Sequence, residues 1–116
     1  MFLRIGDSIY NQDSITKILI DVRKKEESVA VTQLERIRDC LSDDCIRVDK
    51  TFYYVHIVIL YSECREEYNI YGTKNQDCEL VSKTAERMRT SLIEVFGTKN
   101  ICLNLDTGEI YCYELN

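Results

Sequence analysis

The chain has 116 residues, with fifteen lysines and arginines against twenty aspartates and glutamates, a formal net charge of −5, no proline, no tryptophan and six cysteines. That length suits a single domain, residues 1–116, able to bury its own core, and the composition excludes collagen-like, low-complexity and largely disordered classes. The acidic balance argues against nucleic acid as a partner, since a phosphate backbone calls for a clustered basic surface.

No membrane is expected either. The longest apolar run, Val55–Tyr61 with His56 inside it, falls far short of the roughly 20 residues that cross a bilayer as a helix. Met1–Asp7 lacks the basic-then-apolar layout of a secretory signal, which makes the cytoplasm the expected compartment and reduced thiols the expected state of the cysteines.

In chain order, Phe2–Tyr10 reads as two short strands about a Gly6-Asp7 turn. Asn11–Ser14 is a polar break. Ile15–Val22 alternates, with Ile18, Ile20 and Val22 on one face and Ile15, Lys17, Leu19 and Asp21 on the other, the pattern of a half-buried strand. The charged run Arg23–Glu27 reads as a solvated loop. Thr32 and Glu35 have the spacing of a capping box, and Val31, Leu34, Ile37 and Leu41 recur at helical spacing, which predicts a short helix over Thr32–Leu41; a competing reading makes Ser28–Thr32 a strand paired with Ile15–Val22.

Ile46–Val48 reads as a short strand and Asp49-Lys50 as a turn. Phe52–Tyr61 carries the strongest strand signal. Phe52, Tyr54, His56, Val58 and Leu60 lie on one face, and Tyr53, Val55, Ile57, Ile59 and Tyr61 on the other. Apolar or aromatic residues on both faces mark a central strand covered from two sides, by a fold-back of the sheet, the short helix or a second copy of the protein. Ser62–Glu67 reads as a polar connection and Tyr68–Tyr71 as a return strand.

Gly72–Asn75 breaks the chain before the clearest helix, capped by Asn75 or Asp77, with Val81, Ala85, Met88, Leu92 and Val95/Phe96 as its apolar stripe and Gly97 at a left-handed stop. Ile101–Leu105 and Glu109–Leu115 form a hairpin around Asp106-Thr107-Gly108. The expected class is α+β: a mainly antiparallel sheet of about six to eight strands with one long helix in the second half of the chain and one short helix.

Signals for chemistry are sparse. His56, the only histidine, is the natural candidate for acid–base work, but a lone histidine in an apolar strand reads more simply as a core or interface residue. No paired Cys-x-x-Cys spacing points to a metal, and no phosphate loop, nucleophile elbow or dinucleotide fingerprint is present, so neither a metal nor a cofactor is expected. A three-residue loop at Asp106–Gly108 would set Cys102 opposite Cys112, within disulfide reach; in a reducing compartment they read as packing residues. Gly-Thr-Lys-Asn occurs at Gly72–Asn75 and Gly97–Asn100, and Lys74 near the helix start is a candidate anion site, against the simpler reading of two turns.

Eight tyrosines are the most informative excess. Their broad contact area and polar tip suit interfaces, and Tyr53, Tyr61, Tyr111 and Tyr113 are the candidate interface residues. Together these features point to a small intracellular interaction or regulatory module acting by protein binding, as a homodimer, rather than to an enzyme. Two alternatives stand beside it: an acidic inhibitor or nucleic-acid mimic of the viral or bacterial accessory type, and a small enzyme using His56.

Overall fold

The structure, a computed structural model, describes residues 1–30 and 47–114. These hold strands β1 (Phe2–Ile5), β2 (Ser8–Asn11), β3 (Ile15–Ala30), β4 (Arg47–Tyr61) and β5 (Cys64–Asn75), helix α1 (Cys78–Val95), and strands β6 (Asn100–Leu103) and β7 (Ile110–Tyr113), with a single 3-10 turn at Gln12–Ser14. The class is α+β. The short helix expected over Thr32–Leu41, together with Cys40 and Cys45, lies outside the described residues.

The strands form two sheets rather than one. The first has four short strands in the order β2-β1-β6-β7; the second has three long ones in the order β3-β4-β5. All pairings are antiparallel except β1 with β6. One core joins them: Leu3, Ile5, Ile101 and Leu103 of the first sheet meet Val55, Ile57, Ile59 and Ile70 of the second and the stripe Val81, Ala85, Met88 and Leu92 of α1. The alternation read in β4 is thus realised, with Val55, Ile57 and Ile59 as its core face. Because β3 and β4 run well beyond the helix that covers them, the molecule is elongated, 59 × 26 × 26 Å.

Four segments read as loops or breaks are strand, among them Gly72–Asn75, which completes β5. The charged run Arg23–Glu27 continues β3, each residue paired in register with β4 from Tyr54 to Lys50. Glu27 finds partners across strands and along its own: Lys74 of β5 and Lys25 both reach it. Asp49-Lys50 is not a turn but part of β4, opposite Glu27 and Ser28, and Ser28–Ala30 pairs with Arg47–Asp49 rather than with Ile15–Val22. The connection after β4 is only Ser62-Glu63, since Tyr61 faces Cys64; Ser62 takes the left-handed conformation (φ 51°) that two-residue hairpin turns demand. A bulge between Ile15 and Lys17 also moves Ile15 from the face predicted for it to the margin of the core.

Helix α1 starts where a capping residue was expected. Asp77 Oδ1 accepts from the Glu79 amide at 3.0 Å, satisfying one of the amides a helix start leaves without a partner. It ends as Gly97 adopts φ +82°. Gly72 has a different reason to be glycine. A Cβ there would lie 1.3 Å from the backbone oxygen of Asp106, so the β6–β7 loop sits directly on β5.

The last hairpin corrects the predicted register by one residue. Asn104 Oδ1 accepts from the amides of Asp106 (2.7 Å) and Thr107 (3.3 Å), and the Asn104 carbonyl accepts from the Gly108 amide at 2.8 Å. This side-chain turn starts the loop earlier and draws Leu105 out of the strand. Cys102 then faces Tyr111, and Ile101 faces Cys112. Cys102 and Cys112 are therefore not opposite each other, and both are free thiols, as are Cys64 and Cys78. A slip of one residue also reverses faces: Tyr111 and Tyr113 turn away from the core side that holds Leu103 and Ile101.

Gln12, placed by the sequence reading in a mere polar break, is a structural hub, with 3% of its surface exposed. Its Nε2 donates to the Phe2 carbonyl and the Lys99 carbonyl, both at 2.8 Å. Its Oε1 accepts from the Gly97 amide at 2.6 Å. One side chain thus ties the starts of β1 and β6, the inner strands of the first sheet, to the end of α1.

Candidate functional site

The outer face of the three-stranded sheet carries most of the polar chemistry. Along β4 it presents Phe52, Tyr54, His56, Val58 and Leu60, the side expected to need a second layer. In register beside them stand Lys25, Arg23, Asp21, Leu19 and Lys17 of β3, and Asn69, Glu67 and Arg65 of β5. Long charged side chains lay their stems over such a surface while keeping their heads in water. Val58 is buried, and His56 is 6% exposed.

His56 is held from both sides. Nδ1 lies 2.6 Å from Asn69 Oδ1 and Nε2 lies 3.1 Å from Glu67 Oε1. Asn69 in turn donates to the Tyr71 hydroxyl at 3.2 Å. The His56 hydrogen bond, followed by that of Arg65 at 3.3 Å, holds the Glu67 carboxyl below its ordinary range. A general base needs a ring nitrogen open to substrate; here both are engaged within the sheet, in the geometry of a structural histidine.

Further along the same face lies an aromatic and cationic cluster. The rings of Tyr54 and Tyr71 pack with centroids 5.0 Å apart, tilted by 47°. Lys25 Nζ sits 5.0 Å from the Tyr71 ring and Lys74 Nζ 4.9 Å from the Phe52 ring, within the range of cation–π attraction. Lys74 also donates to Glu27 Oε2 at 2.8 Å, and that contact is the main cause of the lowered Glu27 pKa. Lys74, the residue expected to hold an anion at the helix start, thus aims its ammonium at this face.

A separate groove of about 730 Å³ runs between the end of β5, the first half of α1 and the β6–β7 loop. Lys83 and Arg87 edge it, with Thr73, Thr84 and Thr107 as hydroxyls and Met88 at the helix side. His56 takes no part in it.

The four tyrosines expected at an interface divide into two pairs. Tyr53 and Tyr61 pack against the core, and Tyr61 meets Tyr10 edge-on at 5.0 Å. Tyr10 also shares a hydrogen bond with Tyr68, and burial followed by that bond pushes its hydroxyl above the ordinary tyrosine range. Tyr111 and Tyr113 lie on the outer face of the four-stranded sheet, with Cys102 donating to the Tyr111 hydroxyl at 3.4 Å. That face is completed by Phe2, Arg4, Ile9, Asn11 and Asn100. Eight side chains here include a single charge, Arg4, while Ile9 is 65% exposed, Tyr111 49% and Phe2 38%.

Among the described residues, no three His, Cys, Asp or Glu side chains are grouped to hold a metal ion, and no helix is long and apolar enough to cross a membrane. Compared with known proteins, the chain matches no family model, no curated protein and no solved structure.

Proposed function

We propose that this chain is a small protein-interaction module of regulatory or adaptor type, that binding itself is its activity, and that it pairs with a second copy through the outer face of the four-stranded sheet. The observation that carries the reading is the exposure of Ile9 on β2, Phe2 on β1 and Tyr111 on β7, strands spanning a four-stranded face with one charge among eight side chains. Such a surface gains by removal from water. Two copies meeting across a two-fold axis would set apolar and tyrosine side chains against one another, with little like-charge repulsion to overcome.

The face is small, about 19 Å across four strands and about 13 Å along four residues. Pairing then belongs to the weak, concentration-dependent class. The free thiols of Cys64, Cys78, Cys102 and Cys112 suit a reducing compartment, and the cytoplasm is the location that goes with this reading. His56, with both ring nitrogens engaged, lends no support to an enzymatic role.

Light scattering coupled to gel filtration, run from micromolar to submillimolar protein, tests the proposal. The expected result is a mass rising toward twice that of the chain, and a return to monomer in Ile9→Glu with an unchanged circular dichroism spectrum. A mass that stays at one chain throughout, or a dimer indifferent to Ile9→Glu, overturns it.

A further inference from the structure

The outer face of the three-stranded sheet reverses the charge of the molecule that carries it. The chain as a whole is acidic, at −5. Among the described residues, this face bears six cations, Lys17, Arg23, Lys25, Lys50, Arg65 and Lys74, against three carboxylates, Asp21, Glu27 and Glu67. The carboxylates are engaged already: Asp21 by Arg23 at 3.3 Å, Glu27 by Lys74 at 2.8 Å and Lys25 at 3.6 Å, and Glu67 by Arg65 and His56. The surplus is positive, and it surrounds the rings of Phe52, Tyr54 and Tyr71, the last 48% exposed.

We infer that this face docks an extended acidic segment of a partner polypeptide, its carboxylates meeting Arg23 and Lys25 and its intervening apolar side chains resting on Tyr71 and Tyr54. The attraction is charge complementarity: a negative strand approaches a positive strip on an otherwise repelling surface, which fixes where it lands. The cations are also preorganised. Lys25 is parked against Tyr71 and between that ring and Glu27, so less side-chain freedom is lost when a carboxylate arrives.

A single-stranded nucleic acid fits the same surface less well. Ring faces serve bases and apolar side chains alike, so the charges decide between the two. Asp21, Glu27 and Glu67 interrupt the strip, which opposes a continuous phosphate backbone but accommodates separate carboxylates. A second copy approaching with its own outer face would bring like charge to like charge.

The test uses the whole chain and a short fluorescein-labelled peptide alternating glutamate with phenylalanine, read by fluorescence anisotropy. Controls are the same peptide with lysine for glutamate, and an oligothymidylate. The acidic peptide is expected to bind and to weaken with added salt. Arg23→Glu and Lys25→Glu, both at exposed positions, should each weaken it roughly tenfold, and Tyr71→Ala several-fold. Lys83→Glu, a matched charge reversal at an exposed position on α1, should leave it unchanged.

Equal binding by wild type and Lys25→Glu, or no peptide binding by protein with an intact circular dichroism spectrum, overturns the assignment. So does oligothymidylate binding tighter than the peptide and lost in Lys25→Glu, which would give the face to nucleic acid. Loss of self-association in Lys25→Glu rather than in Ile9→Glu would make the face a dimer contact instead. Assembly and peptide docking lie on different sheets, so a variant that removes one leaves the other measurable.

Discussion

Replacing Gln12 with leucine keeps the volume of the side chain and removes its polar end. In the native protein that end serves three backbone groups: the carbonyls of Phe2 and Lys99 and the amide of Gly97. The site is almost closed to water, so the three groups would lose their partners without regaining solvent. Each lost bond of this kind costs about 1 kcal/mol, and more where the stranded group is fully enclosed. The total comes to about 3 kcal/mol, a large share of the roughly 5–15 kcal/mol that holds a domain together, or a fall in Tm of about 10–15 °C. Urea unfolding followed by far-ultraviolet circular dichroism measures it directly. Gln12→Glu sharpens the experiment. Its carboxylate can still accept from Gly97 but sets negative charge against two carbonyl oxygens, which raises its folded pKa above the unfolded value. The variant should then be least stable at neutral pH and recover toward wild type as the pH falls through that raised pKa and the acid gains a proton to donate. A loss below about 1 kcal/mol in Gln12→Leu, with no pH dependence peculiar to Gln12→Glu, would refute the reasoning that this side chain joins the inner strands of the first sheet to the helix end.

Three further outcomes follow from particular contacts. Gly72→Ala puts a methyl group 1.3 Å from the Asp106 carbonyl oxygen; two backbones must separate, so the loss should reach about 3 kcal/mol, whereas Gly97→Ala, at φ +82° with open space around it, should cost only about 1 kcal/mol, both by urea unfolding. Asp77→Ala removes the helix cap and should cost about 1 kcal/mol, with asparagine restoring most of it. The carboxyls of Glu67 and Glu27 titrate below their ordinary value of 4.5, through the His56 and Lys74 contacts respectively. Their folded pKa values are depressed, so their contribution is complete above the unfolded pKa and fades as pH falls through the folded one; unfolding curves measured on the acid side of that range should show Glu67→Gln and Glu27→Gln less acid-sensitive than wild type.

Much of the architecture was legible because it rests on local periodicity. The stripe Val81, Ala85, Met88 and Leu92, bounded by Asp77 and Gly97, is a helix by spacing and caps alone. The alternation in β4 likewise placed Val55, Ile57 and Ile59 together. What was misread depends on residues far apart in the chain. Arg23–Glu27 looks like a loop until Lys74 arrives, 47 residues away, to neutralise Glu27. Nothing near Lys25 shows that it will lie over Tyr71, so the cationic aromatic face could not be assembled from spacing.

The final hairpin failed for a smaller reason. Asx-turn chemistry at Asn104 competes with the Asp-Thr-Gly signal two residues on, and the winner of that competition, Asn104, sets which face Tyr111 occupies. Gln12 was hidden for a third reason. Its partners Lys99 and Gly97 come from the other end of the chain, and a glutamine in a polar stretch carries no sign that it will be buried.

The most direct trial of the assembly reading is an isotope-mixed NMR experiment, in which labelled and unlabelled chains are combined and only contacts between different molecules are detected. Cross-peaks between the Ile9 methyl groups of one chain and the Tyr111 and Tyr113 rings of another are the predicted result. Intermolecular contacts confined to other surfaces, or none at concentrations where both chains remain folded, would contradict it.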